Sequence, residues 1–301
     1  MCGVLGFISE KNRPDMGIIA ENLLKKLEYR GYDSTGFAIQ DDKGKLVLEK
    51  DVGAPSKILV PLGIRKADGI IFCGQVRWAT FGIVDRTNAQ PHKVRCKEFI
   101  YGAHNGNVTN CDQLKRWLTE HGHKVLSDND GEMVVHIVEH FFSQELEKKK
   151  GKKLSTVERR KLFLESIFLA NKRIEGSFAA VIVDPVTETV AAIKRGSSLY
   201  VGIGEDDKYG KYSLASSDLG AVLSLTKKLV SIHEGEFALF ADNCVRLYNL
   251  ENRKEVPTVI VRTPLRSEET ELKHPYSYFM EQEIFYQPEA ARRLIRLYTG
   301  G

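Results

Sequence analysis

The apolar pattern begins with the chain: residues 2–8, CGVLGFI, are hydrophobic nearly throughout and predict a strand covered on both faces, with the polar SEKNRPD after it as a loop. From Asp15 to Tyr29 the spacing of Ile18, Ile19, Leu23, Leu24 and Leu27 becomes helical, and Asp15 behind Pro14 marks its start. Strands are predicted at GFAIQ, KLVLEK, GIIFCGQV and EFIYGAH, with DDKGK as the turn between the first two. Helical periodicity returns over 111–122, 131–147 and 156–174, and the run KKKGKK at 148–153 reads as a solvated loop between the last two. From Gly176 onward strands dominate: SFAAVIVDP, TVAAIKR, LYVGIG, YSLASSD, LVSIHEGEFALFAD and CVRLYNL, separated by Gly, Asp and Asn turns. Many antiparallel strands with separate groups of helices predict α+β layers, not a parallel βαβ sheet.

After about Glu255 the texture changes. VPTVIVRTPLRSEETELKHP carries prolines and charges and reads as a linker, and YFMEQEIFYQPEAARRLIRL predicts a helix that breaks at Pro288. The organisation expected is one domain over 1–255, then a linker and tail over 256–301.

Composition narrows the function classes. A formal charge of +4 over 301 residues lacks the concentrated basic excess of a phosphate-backbone binder, so nucleic acid is not an expected partner. The five cysteines are widely spaced with no CxxC pair, which argues against a disulfide framework or a structural zinc site and for a reducing, cytoplasmic setting. No run of about 18 apolar residues predicts a membrane span.

The chemistry gathers around short stretches. Cys2 is either a core thiol of the first strand or a nucleophile freed when Met1 is removed. In the second case the new α-amine, with a pKa of about 7.7–8.0, could take the thiol proton through a bridging water. HNGN at 104–107 is either a hairpin turn or an oxyanion site, with the Asn105 amide and the Gly106 N–H as donors. In RWATFG, 77–82, Arg77 is either a surface residue at a strand end or a clamp for a carboxylate. Asp130, in SDNDGE, is a helix N-cap, a partner for a substrate ammonium, or both. His136 and His140, at i and i+4, have a metal-compatible spacing without an apparent third ligand and read as packing residues; neither metal nor cofactor is expected.

Taken in order, MCGVLGF, LEYRGYDSTGFA, VRWATFG, HNGN, SDNDGE and EGSFAAVIVD resemble a class II, N-terminal-nucleophile glutamine amidotransferase domain. The branch they resemble is the glutaminase half of the glutamine:fructose-6-phosphate aminotransferase family, the glucosamine-6-phosphate synthases. YFMEQEIFYQP is similar to that family's segment leading to its sugar-isomerase half, which has no counterpart in this chain. The resemblance implies a four-layer αββα sandwich of two antiparallel sheets between helices. It implies roles too: Cys2 as nucleophile, Asn105 and Gly106 as oxyanion hole, Arg77 for the glutamine α-carboxylate, Asp130 for its α-ammonium, and Trp78 and Thr80 shaping the pocket. It further implies hydrolysis of L-glutamine to glutamate and ammonia, with a sugar-phosphate isomerase domain or subunit and its fructose 6-phosphate as partner, and is compatible with a homodimer. An amidotransferase serving another acceptor and a non-catalytic glutamine-binding module are the alternatives. The sequence departs from the family at Phe81, Gln75 and Gln90, each in place of a histidine, and at Gly131, where threonine is common. Tyr278, Gln282 and Tyr286 replace His, Lys and Glu in the tail.

Overall fold

The computed structural model describes residues 2–265 and 273–299. In chain order the elements are β1 (Gly3–Arg13), α1 (Met16–Lys26), β2 (Ser34–Gln40), β3 (Leu46–Val52), α2 (Pro55–Ile58), β4 (Gly69–Arg77), β5 (His92–Val94), β6 (Ile100–Val108) and α3 (Cys111–Glu120). There follow α4 (Asp130–Glu147), α5 (Thr156–Asn171), β7 (Gly176–Asp184), β8 (Thr189–Arg195), β9 (Tyr200–Asp206), β10 (Gly210–Ser216) and α6 (Leu219–Leu223). The last are β11 (Lys228–Val230), β12 (Glu236–Ala241), β13 (Cys244–Asn249), β14 (Glu255–Val256), β15 (Ile260–Arg262) and α7 (Phe279–Thr299). The chain forms two compact units, Met1–Ser267 and Glu268–Gly301.

The first unit is a sandwich of two antiparallel sheets. One runs β15-β11-β9-β10-β1-β4-β2-β3 and the other β14-β13-β12-β8-β7-β6-β5. Three apolar clusters account for the layering. Val4, Ala38, Ile71, Tyr101, Val181 and Phe240 fill the space between the sheets. Leu5, Phe37 and Phe72 face Leu23, Leu24 and Leu27 of the α1 segment on one outer side. Ile100, Phe178 and Leu239 face Val134, Phe142 and Phe163 of α4 and α5 on the other. Strands buried on both faces need apolar residues at successive positions, which is why β1 opens with an unbroken hydrophobic run. The result is the four-layer αββα order expected from the resemblance.

Four local expectations change. SEKNRPD is mostly strand, because β1 runs to Arg13 through an irregularity between Ile8 and Arg13. Ser9 pairs with Tyr212 of β10 and Arg13 with Gly69 of β4, and Arg13 forms ion pairs with Asp15 and Asp206. HNGN is not a turn: it forms the last part of β6, with Asn105 opposite Ala179 and Gly106 opposite Phe178. The proline-rich linker begins with β14 and β15, which add to the edges of the two sheets by pairing with β13 and β11. In the second unit α7 runs through Pro288, where the missing N–H leaves the Ile284 carbonyl without its usual helical donor. Part of the linker and Gly300-Gly301 lie outside the described residues. No described helix is long and apolar enough to cross a membrane.

Glu21 illustrates how α1 is fixed. Its buried carboxylate meets Arg65 Nη2 at 2.9 Å and Lys25 Nζ at 2.7 Å. The Arg65 hydrogen bonds and Lys25 hold its pKa down to about 2, from an ordinary 4.5. A depressed carboxylate pKa stabilises the fold above the unfolded value and loses that contribution as pH falls toward the folded one. Acid titration of stability should therefore show a loss between these two values that is absent in Glu21→Gln, read as the difference in urea midpoints between pH 5 and pH 3, both round settings within about the range where Asp and Glu titrate.

Candidate active site

Cys2 stands at the entry to β1, and that strand is gripped from both sides. Gly3 pairs with Val76 of β4. The Val4 amide donates to Ser217 Oγ at 3.0 Å, and the Ser217 amide returns a bond to the Val4 carbonyl at 3.0 Å. The Cys2 thiol therefore meets the residue after β4: it donates to the Trp78 carbonyl at 3.3 Å and accepts from the Trp78 amide at 3.4 Å. Burial pushes the thiol pKa up, against the Trp78 amide, which pulls it down. At neutral pH the resting nucleophile candidate is a thiol, so its attack calls for a base. Met1, whose removal would expose the α-amine, lies outside the described residues.

The RGYDS stretch, read from the sequence only as a family signature, builds the support for the loop after β4. Asp33 accepts from the Ala79 amide at 2.8 Å, and its own amide donates to the Arg77 carbonyl at 3.0 Å. Tyr32 packs on Trp78 with ring centroids 5.3 Å apart. Arg30 and Tyr29 both bind Asp218, which caps α6 through the Ala221 amide. Arg77 is almost completely buried, and its guanidinium donates to the carbonyls of Phe81, Gly82 and Ile83. It thus holds its own loop, with the Nε and one Nη1 hydrogen left of its five donors. Thr80 and Phe81 are exposed on that loop, and Ile83 is 71% exposed.

Asp130 opens α4, and its role as cap is corrected: Asn129 is the N-cap, accepting from the Gly131 amide at 2.9 Å. Asp130 instead turns one carboxylate oxygen to the Val108 amide, at 3.0 Å, and to His104 Nε2, at 3.2 Å. Burial alone would raise its pKa, but His104 and the Val108 amide outweigh it and hold the carboxyl below its ordinary value. It stays an anion, as an ammonium partner must. Asp130 and Arg77 lie close enough to Cys2 to act on its thiol in opposite directions, the carboxylate raising its pKa and the guanidinium lowering it.

Asn105 and Gly106 follow His104 on β6. Gln75 Nε2, from β4, reaches the His104 carbonyl at 3.5 Å, which links the strand leading to Arg77 with the strand carrying the Asn-Gly pair. Gly106 has φ +150°, and a Cβ there would lie 2.2 Å from the Ser177 carbonyl oxygen, so the position admits only glycine.

Three of the departures from the family, Gln75, Gln90 and Gly131, meet at His104. Gln90 accepts from the His104 amide at 2.8 Å and donates back to its carbonyl at 3.3 Å. A Cβ on Gly131 would lie 2.3 Å from His104 Nδ1 and 2.7 Å from Gln90 Oε1. The glutamine and the missing threonine side chain are one packing solution, and it keeps His104 turned toward Asp130.

Sequence reasoning missed Asp33 and His104, although both sit inside quoted motifs, because neither contact is local. It also paired His136 with His140 as packing residues. The structure instead sets His136 with Cys96, His123 and Glu139, whose ligand atoms all lie within 4.8 Å of one another, while His140 Nδ1 lies 3.0 Å from His123 Nε2.

A family model described as a glutamine amidotransferase domain matches residues 76–223. The match takes in just under half of the chain, and the class it points to, a glutamine amidotransferase, agrees with the two-sheet sandwich described above. In particular, the chain is similar to part of several proteins named glutamine–fructose-6-phosphate aminotransferase (isomerizing). The protein of that name from Clostridium tetani is 32% identical over 302 residues, covering 97% of this chain and 43% of the relative. The one from Pyrobaculum aerophilum is 32% identical over 292 residues, covering 96% and 44%. The chain thus spans less than half the length of these curated relatives. Among solved structures, the glutamine phosphoribosylpyrophosphate amidotransferase from B. subtilis, complexed with ADP and GMP, has the same fold, with a TM-score of 0.61 at 22% identity over 83% of this chain and 49% of that one. A structure described as the allosteric regulatory enzyme of purine biosynthesis gives a TM-score of 0.63, also at 22% identity and with the same coverage.

Proposed function

We propose that this chain hydrolyses L-glutamine to glutamate and ammonia through a thioester on Cys2. The observation that carries the reading is the seating of the Cys2 thiol on the Trp78 backbone, within electrostatic reach of a buried guanidinium and a buried carboxylate. Glutamine is an amino acid with opposite charges at one end, and two fixed opposite charges select it and orient its side-chain amide. Arg77 takes the α-carboxylate with its remaining N–H donors, and Asp130 takes the α-ammonium. Trp78 and Thr80 form the wall and rim of the pocket.

The freed α-amine accepts the thiol proton as sulfur attacks the amide carbon. The negative charge on the carbonyl oxygen is met by the Asn105 side-chain amide and the Gly106 N–H. When the tetrahedral carbon collapses, the C–N bond breaks and the ammonium returns its proton to the leaving nitrogen, which departs as ammonia. Water, deprotonated by the same amine, then attacks the thioester; the C–S bond breaks and glutamate and free thiol result.

The relatives' names support fructose 6-phosphate as the acceptor of the ammonia, held by a sugar-phosphate isomerase domain or subunit outside this sequence. The five free cysteines suit the reducing cytoplasm as the working compartment. The changed residues Tyr278, Gln282 and Tyr286, spaced i, i+4, i+8 along the α7 segment, favour a second reading in which the acceptor domain differs. To test the activity, the purified chain is given L-glutamine; equal release of glutamate and ammonia is expected, with none from asparagine. Absence of glutamate release, with no covalent capture of a thiol-reactive glutamine analogue, would overturn the proposal. Glucosamine 6-phosphate formed with an added isomerase partner would support the fructose 6-phosphate acceptor.

A further inference from the structure

Farther along α4 than Asp130, four side chains from three separate segments point at one another. Cys96 follows β5, His123 lies in the loop after α3, and His136 and Glu139 sit one turn apart on α4. The side chains of His123 and Glu139 are both fully buried, and that of His136 nearly so. His123 Nδ1 and Glu139 Oε2 approach to 2.9 Å, yet neither atom has a hydrogen-bond partner, because the approach lacks the direction an N–H···O bond needs. A buried ring nitrogen and carboxylate oxygen that close, off the line of a good hydrogen bond, are compatible with two ligands of a shared cation.

The surrounding hydrogen bonds fix which atoms point inward. Glu132 can only accept, so His136 Nε2, 3.3 Å from its Oε1, carries the hydrogen and leaves Nδ1 as a lone pair, 4.0 Å from Cys96 Sγ. His123 Nε2 faces His140 Nδ1 at 3.0 Å, which leaves its Nδ1 turned to the cluster. Glu139 Oε1 is taken by the amides of Lys97 and Glu98, so Oε2 is the oxygen available. The Lys124 amide donates to Cys96 Sγ at 3.2 Å, as it would to a thiolate. Imidazoles held by a carboxylate or a second ring on their outer nitrogen are the usual outer shell of a bound metal.

We propose that Cys96, His123, His136 and Glu139 form a structural site for a divalent transition metal, with Zn2+ as the occupant. A tetrahedral zinc with bonds of about 2.0–2.3 Å needs donors roughly 3.3–3.7 Å apart; two of the observed separations are 2.9 and 4.0 Å and all lie within 4.8 Å, so small side-chain shifts would bring the four donors to that spacing. Thiolate plus carboxylate would neutralise the dication, which removes the cost of two buried anions. Four protein donors leave no open position, as in structural sites. The site also has mechanical reach: Glu132 binds Leu126 and Ser127 besides His136, and Asp130 lies two residues before it. On the reading that Asp130 holds the glutamine ammonium, metal loss should raise KM more than it lowers kcat.

The test is independent of glutaminase activity. The full chain is stripped with a chelator and titrated with Co2+, followed by Zn2+. A thiolate-to-cobalt charge-transfer band saturating near one equivalent, bleached by Zn2+ and accompanied by a rise in Tm, is expected. Cys96→Ser should lose the band, and Glu132→Gln should weaken metal binding about 10- to 100-fold. If Cys96→Ser does not fold, the wild-type titration decides alone. A stripped wild-type chain that gives neither a Co2+ band nor a zinc-dependent Tm overturns the proposal, and a band that survives in Cys96→Ser overturns the ligand set.

Discussion

Cys2→Ala is expected to lower glutamine turnover by roughly four to six orders of magnitude, the scale of losing a nucleophile that works as a unit with its base. Stability should change by less than about 1 kcal/mol, because the hydrogen bonds of the side chain among the described residues are two weak sulfur ones, both to the Trp78 backbone. The two readings of this residue part here. A core thiol replaced by alanine would cost stability and spare activity; a nucleophile does the reverse. The raised thiol pKa adds a pH signature. Since the thiol does not ionise alone near neutrality, kcat/KM for the wild type should climb through the amine pKa of about 7.7–8.0 and level off above it. Turnover across pH, with urea midpoints for both proteins, checks both expectations.

The second large effect is expected at Asn105 and Gly106, the proposed oxyanion pair. Asn105→Ala removes one of two donors and should cut kcat by about 10²–10³, with KM little changed, because the bond forms only as charge develops. Asn105 lies on β6, whose backbone partner Ala179 is unaffected by the truncation, so the fold should persist. Gly106→Ala is a different experiment. The added methyl would meet the Ser177 carbonyl at 2.2 Å on a backbone at φ +150°, so loss of the folded β6–β7 pairing should accompany loss of activity. Stopped assays with glutamine over a range of concentrations separate kcat from KM and give the decisive comparison.

The layer order was readable because periodicity reports burial: CGVLGFI and SFAAVIVD are apolar at successive positions only where both faces of a strand are covered. The surroundings of Cys2 were partly readable from short motifs: RWATFG supplies Trp78 and Arg77, and SDNDGE supplies Asp130. What escaped depends on contacts between segments far apart. SEKNR looks like a loop until Arg13 finds Asp206 across the sheet. HNG carries a turn signature, yet pairing with β7 keeps it extended, and the glycine is needed for close approach to Ser177. Asp130 resembles an N-cap because Asn129, its neighbour, is the cap. The Cys96, His123, His136 and Glu139 cluster has no compact spacing in sequence, since folding, not chain proximity, assembles it.

The central claim is that the second residue, once first, is the reacting group. Intact and peptide mass spectrometry of the purified chain, before and after a thiol-reactive glutamine analogue, tests it directly. The account predicts a chain lacking Met1, one analogue added per molecule, the label on the cysteine of the N-terminal peptide, and protection by glutamine. A retained Met1 with the label absent, or placed on Cys73, Cys96, Cys111 or Cys244, would contradict it.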